Sequence, residues 1–119
     1  MIAADVEFRW EDERGIVRMP AEIDLTNADE VRHTLRAAAG YGATVLIIDM
    51  SATTFCDSAG VRAIIDVHNL VNDRNQTAAI PTELRLVVTA VQRIVTLTGI
   101  DQLMPVYSSL DAALAGPPV

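Results

Sequence analysis

The stretch Thr44-Val45-Leu46-Ile47-Ile48-Asp49, followed by Thr53-Thr54-Phe55-Cys56-Asp57-Ser58-Ala59-Gly60, decides the fold. Val45 to Ile48 is apolar without alternation, the signature of a strand covered on both faces and hence of a parallel sheet between layers. After the loop Ser51 to Asp57, residues Arg62, Asp66, Asn69 and Asp73 recur at helical spacing, while Gly60, Ile64, Val67 and Val71 form the opposite, apolar stripe. That pattern predicts a helix from about Ser58 to Arg74. Upstream, Gly40 and Gly42 punctuate the end of an earlier helix whose buried stripe is Ala28, Val31, Leu35 and Ala38. Thr26 stands where an N-cap is expected, with Asp29 and Glu30 in the first turn, where the macrodipole favours acids.

Further out, Val6, Phe8 and Trp10 alternate with Glu7, Arg9 and Glu11, which reads as a half-exposed strand turned by Glu11 to Gly15 into a hairpin partner beginning at Ile16. The second strand is expected to run on to Ala21-Glu22-Ile23-Asp24. Downstream, Asn75 to Thr82 reads as a loop, Leu84 to Val88 as a buried strand, Val91 to Leu97 as a short helix, and Met104 to Tyr107 as a last short strand. Ser108-Ser109-Leu110-Asp111 opens a terminal helix. Strands alternating with amphipathic helices make this a single α/β domain over residues 1–119: a mixed sheet of four to five strands with about four helices, and 115–119 a loose tail. If the strands ending at Asp24 and Asp49 are parallel neighbours, the loops after them emerge at one sheet edge, where open α/β folds place their sites.

Composition narrows the chemistry. Of 119 residues, 50% are hydrophobic and 21% charged, which suits one globular domain, and nine basic against 16 acidic residues give a net charge of −7. That is the wrong sign for recognising a phosphate backbone or an anionic lipid surface, and it puts both at the bottom of the list of partners. All nine basic residues are arginine, so Schiff-base and P-loop chemistries lack their lysine. Cys56 has no cysteine partner, consistent with a reducing, cytoplasmic setting, and no signal-peptide pattern or membrane-length apolar run is present, so neither secretion nor membrane insertion is expected.

Ser58 is read as the N-cap of its helix, where a phosphate would face unpaired amides and the positive dipole end. The competing chemistries are weaker. A hydrolase elbow needs Gly where Cys56 stands, and His33 and His68 sit on helices with no evident tie to Ser58. Asp24, Asp49 and Asp57 suit turns and caps better than a cation, and no metal or other cofactor is expected. Cys56 fits a small buried hydrophobe better than a redox sensor, and no basic neighbour lowers its pKa. Arg62 reads most simply as an i,i+4 partner of Asp66, the alternative being a contact to an acidic partner or a neighbouring phosphate. Trp10 and Tyr107 are isolated aromatics of core or rim.

Ala21-Glu22-Ile23-Asp24, Ile47-Ile48-Asp49-Met50-Ser51, Phe55-Cys56-Asp57-Ser58-Ala59-Gly60-Val61, and Leu84 to Val88 followed by Val91 to Ile100 together resemble the STAS domain of bacterial anti-sigma factor antagonists, in order and over nearly the whole chain. Asp57-Ser58-Ala59-Gly60 is the most specific element and resembles the family's Asp-Ser-(Ser/Ala/Thr)-Gly motif. Two departures stand out: Pro20-Ala21 where the family often has Gly, and Ala79-Ile80-Pro81 in place of a Gly-rich approach to the following strand. The resemblance implies a non-enzymatic partner switch controlling sigma-factor-dependent transcription. Unphosphorylated, the protein would bind an anti-sigma factor that is itself a serine kinase; phosphorylation at Ser58 would end the interaction, and a PP2C-type phosphatase would restore it. The implied binding surface comprises Glu22, Asp24, Thr26, Asp57, Ser58, Ala59, Gly60, Val61 and Arg62. The alternative is a STAS-like accessory subunit that binds a membrane transporter or a small nucleotide through the same edge, without phosphorylation.

Overall fold

The computed structural model describes residues 6–117; the N-terminal segment and tail expectations that fall on residues 1–5 and 118–119 lie outside it. Strand β1 (Glu7–Glu11) turns at Asp12-Glu13 into β2 (Arg14–Arg18), and Asp12 takes a positive φ of 56° in the turn. A two-residue β3 (Glu22–Ile23) precedes α1 (Ala28–Ala39). Then come β4 (Val45–Met50), β5 (Phe55–Cys56), α2 (Ser58–Asn75), β6 (Glu83–Val88), α3 (Gln92–Thr98), a 3-10 turn, β7 (Val106–Tyr107) and α4 (Leu110–Ala115).

The main sheet has the order β1-β2-β4-β6-β7; only β1–β2 is antiparallel. Val17, Leu46, Ile48, Leu84, Leu86 and Val88 face α1 and α2, whose stripes Val31, Leu35, Ala38, Ile64, Val67 and Val71 complete the larger core. Ile16, Ile47 and Val87 face the other way, onto Ala113 of α4. The unalternating run in β4 is therefore explained by helices on both faces.

The expected strand to Asp24 is two separate pieces. β2 stops at Arg18, Met19 N–H makes a last bond to the Asp49 carbonyl at 2.9 Å, and Pro20, with no N–H, cannot extend the ladder. The parallel neighbour of β4 is therefore β2, paired Arg14↔Val45 to Arg18↔Asp49, and not the segment ending at Asp24. That segment forms β3, which leaves the main sheet and pairs in parallel with β5, Glu22↔Phe55 and Ile23↔Cys56. Trp10 is not isolated: it packs edge-on against Phe8 with ring centroids 5.2 Å apart, and Phe8 packs on Tyr41 at 4.9 Å.

Candidate functional site

The two loops meet because the backbone between β4 and α2 is zipped to the one between β2 and α1. Thr53, fully buried, donates its hydroxyl to the Pro20 carbonyl at 2.8 Å; Thr54 N–H donates to Ala21 O at 2.8 Å, and Asp57 N–H to Ile23 O at 3.1 Å. This small ladder sets Glu22, Asp24 and Thr26 beside the start of α2.

The helix start differs from the expectation in one consequential way. Asp57, not Ser58, is the N-cap: its backbone is extended and its carboxylate accepts from the amides of Ala59 at 2.9 Å and Gly60 at 3.4 Å. Aspartate serves a helix start as well as serine and brings the charge the dipole favours. Ser58 is thereby displaced to the first helical position. It is exposed, and its hydroxyl makes no hydrogen bond among the described residues. Gly60 is buried because a Cβ there would lie 2.5 Å from Cys56 Sγ and 2.7 Å from Ile23 Cγ2. Its lack of a side chain lets the first turn of α2 rest directly on the β3–β5 ladder.

Asp24 builds its own turn. Its carboxylate accepts from the amide of Thr26 at 2.9 Å and from the Thr26 hydroxyl, while Asn27 accepts from Asp24 N–H at 3.0 Å and donates to Glu22 O at 2.8 Å. The Thr26 hydroxyl, followed by the Thr26 amide, holds the Asp24 carboxyl below its ordinary pKa. Thr26 therefore serves Asp24 rather than capping α1, whose N-cap position is Asn27 with no side-chain cap bond. Asp49 is likewise committed, accepting from Ser51 N–H at 3.0 Å. Each of the three aspartates weighed as cation ligands thus satisfies its own turn or cap.

Arg62 is exposed and does not pair with Asp66, which instead takes Arg36 of α1 at 2.9 Å. Gly60 and Val61 are buried, so of the implied surface Glu22, Asp24, Thr26, Asp57, Ser58, Ala59 and Arg62 reach solvent. Two residues outside the expected set join them: Leu25, 82% exposed between Asp24 and Thr26, and Phe55, 50% exposed opposite Glu22. The signal for Leu25 was present, since an apolar residue off the α1 stripe has no core to enter. Cys56 is buried, and burial, with Asp57 beside it, pushes its thiol up to about 11. His33 is exposed on α1, and His68 follows Ser58 by ten positions, about 15 Å along the α2 axis.

The start of α2 thus presents an unpartnered serine beside carboxylates and the exposed apolar side chains Leu25 and Phe55. A family model described as the STAS domain matches residues 5–113, and the chain belongs to that family. Among solved structures, an anti-sigma factor antagonist from Mycobacterium paratuberculosis superposes with a TM-score of 0.79 at 24% identity, covering 96% of this chain and 97% of that one. A STAS domain protein from Planctomyces limnophilus gives 0.79 at 19%, covering 96% and 98%. The Bacillus anti-sigma factor antagonist SpoIIAA gives 0.66 at 19% in its unphosphorylated form, covering 96% and 99%, and 0.63 at 19% in its phosphorylated form, covering 92% and 96%. At these identities the likeness carries the fold. No curated protein matches by sequence. No helix among the described residues is long and apolar enough to cross a membrane.

Proposed function

We propose that this chain is a cytoplasmic anti-sigma factor antagonist that switches partners through phosphorylation of Ser58. The observation that carries the reading is the division of labour at the start of α2: Asp57 satisfies the first-turn amides, which leaves the Ser58 hydroxyl exposed and unbonded. A serine with no structural duty can be modified without loss of the fold. The existence of SpoIIAA in phosphorylated and unphosphorylated forms on the same fold adds support.

The switch is electrostatic. A phosphate at Ser58 adds about −1.5 to −2 charges next to Asp57 and on the edge that carries Glu22 and Asp24. It finds the Ala59 and Gly60 amides already taken by Asp57. Leu25 and Phe55 supply apolar anchors for an anti-sigma factor of the serine-kinase type, with Ala59 close by. Docking there buries the Ser58 hydroxyl at small cost, whereas burying an unpaired phosphate costs several kcal/mol, and about 1.4 kcal/mol is tenfold in affinity. Phosphorylation therefore releases the partner, and a PP2C-type phosphatase resets the chain. No catalytic role is assigned to any residue of this chain.

The test is intact-mass analysis after incubation with ATP and candidate kinase-type anti-sigma factors, paired with binding measurements on Ser58→Ala and Ser58→Glu. One added phosphate that vanishes in Ser58→Ala, with binding kept in Ser58→Ala and lost in Ser58→Glu, is the expected result. Equal tolerance of both substitutions, with no phosphate added, overturns the switch and favours the transporter-accessory reading.

A further inference from the structure

β1 is the outermost strand of the main sheet, and among the described residues nothing pairs with its outer edge; the opposite edge, β7, is only two residues long. The hairpin closes on Glu11↔Arg14 around Asp12-Glu13. In a two-residue hairpin the closing pair is hydrogen-bonded and bonded pairs alternate along the ladder. Glu11, Arg9 and Glu7 thus point their main-chain groups at β2, and Phe8 and Trp10 point theirs outward. The side chains divide in the same way. Phe8 packs with Trp10 and Tyr41 on the helix-layer face, where Trp10 remains 48% and Tyr41 55% exposed. Glu7, Arg9 and Glu11 line the other face, all exposed, and Glu7 and Arg9 make no ion pair among the described residues.

Charges on an edge strand ordinarily prevent edge-to-edge pairing. Here the signs alternate, so the effect depends on register. Within β1, pairing outward-facing Phe8 and Trp10 with one another leaves three antiparallel registers. With Arg9 opposite Arg9, Glu7 also meets Glu11, and like charges oppose one another throughout. With Trp10 opposite Trp10, Arg9 meets Glu11 twice, but Phe8 meets Asp12, whose positive φ of 56° takes it out of the strand. With Phe8 opposite Phe8, Glu7 meets Arg9 twice, which sets opposite charges against each other on the exposed face, and the two Phe8 rings meet on the other. We infer that the outer edge of β1 is a self-association surface, at which a second copy of this chain adds antiparallel across a two-fold axis at Phe8. Because the shared patch is its own partner and the β7 edge is too short to propagate, the assembly closes as a dimer with a continuous ten-stranded sheet. A strand pair of this length is well below the roughly 800 Å² per partner of a standard interface, so the association is weak and concentration-dependent.

Sedimentation equilibrium of the full chain, from about 10 μM to about 1 mM, spans the range in which so small an interface populates. The expected result is a mass rising toward the dimer, with Arg9→Glu and Glu7→Arg each weakening self-association by about tenfold or more through paired like charges. An equimolar mixture of the two variants recovers it, because each strand then meets opposite charges at both positions. Trp10, the sole tryptophan, reports independently in the unaltered chain through a concentration-dependent blue shift of its emission. A monomer at every concentration overturns the inference. So does a dimer indifferent to both substitutions, or a mixture of folded variants, verified by circular dichroism, that fails to recover.

Discussion

At the scale of single residues, the start of α2 separates structure from function among four consecutive side chains. Asp57 carries the cap, so Asp57→Ala is expected to cost about 1 kcal/mol in urea denaturation, whereas Ser58→Ala, which removes no hydrogen bond, falls within about 0.5 kcal/mol of the parent. Gly60 carries the close approach. Helix propensity alone favours alanine there by about 1 kcal/mol, yet a Cβ would overlap Cys56 Sγ and Ile23. Gly60→Ala is therefore expected to destabilise by about 1–3 kcal/mol by the same measurement. Cys56, buried with its thiol pushed up to about 11, is expected to resist iodoacetamide at pH 8 in the folded protein and to react on unfolding, read by intact mass. The sign follows from the direction: a thiol held neutral in the fold and free to ionise in the unfolded chain withdraws stability as pH rises through its ordinary value. Asp24 works oppositely. Its depressed pKa adds stability above the ordinary carboxylate range, lost as acid protonates the folded form, and Thr26→Val is expected to move its titration upward in a carboxyl NMR experiment.

At the scale of elements, α4 shows how a short helix is held by the sheet. Six residues are too few to be helical alone. Ser109 caps its start by accepting from Ala112 N–H at 3.1 Å, and two arginines of the sheet grip its end: Arg85 donates to the Ala113 carbonyl at 2.6 Å and Arg14 to the Leu114 carbonyl. Arg85, itself buried, is balanced by Glu83 at 2.8 Å. Arg85→Ala is expected to abolish hydrogen-exchange protection across Leu110–Ala115 while protection in β4 persists, because Leu46, Ile48 and Met50 keep their packing in the larger core when Ile47 loses its cover. Loss of protection in both elements would mean that the C-terminal helix is part of the cooperative core. Leu84 to Val88 was legible as a buried strand, but Arg85 within it was not, since its counter-charge and the helix end it holds are settled by the strand's position beside α4.

At the scale of the whole molecule, α1 and α2 lie together on one sheet face, tied at their surface by Arg36 and Asp66. On the opposite face, α4 covers Ile16 of β2 with Ile47 and Val87, and β1 lies outside that cluster. The two interaction surfaces inferred above are therefore on different elements, the Ser58 edge on β3, β5 and α2, and the self-association edge on β1. Independence follows as an expectation: Arg9→Glu leaves Ser58-dependent binding unchanged, and Ser58→Glu leaves the sedimentation profile unchanged. Coupling between them, measured as a change in either affinity, would place the Ser58 partner across β1 as well.

Periodicity and turn chemistry alone determined the α/β class, the stripes of α1 and α2, the doubly covered β4 and the Asp57-Ser58-Ala59-Gly60 helix start, because each depends on residues within about one or two turns of one another. Only the tertiary structure decided the rest. Whether Asp57 or Ser58 takes the cap turns on an extended backbone at Asp57 fixed by its bond to Ile23. Whether Asp66 meets Arg62 or Arg36 turns on how α1 lies against α2. The break of the second strand at Pro20, and the β3–β5 ladder that gathers Glu22, Asp24 and Ser58 on one edge, come from hydrogen bonds between segments some thirty residues apart, such as Thr53 to Pro20 with a separation of 33. Local sequence preference does not encode such pairings; they form because packing brings buried polar groups together that must be satisfied.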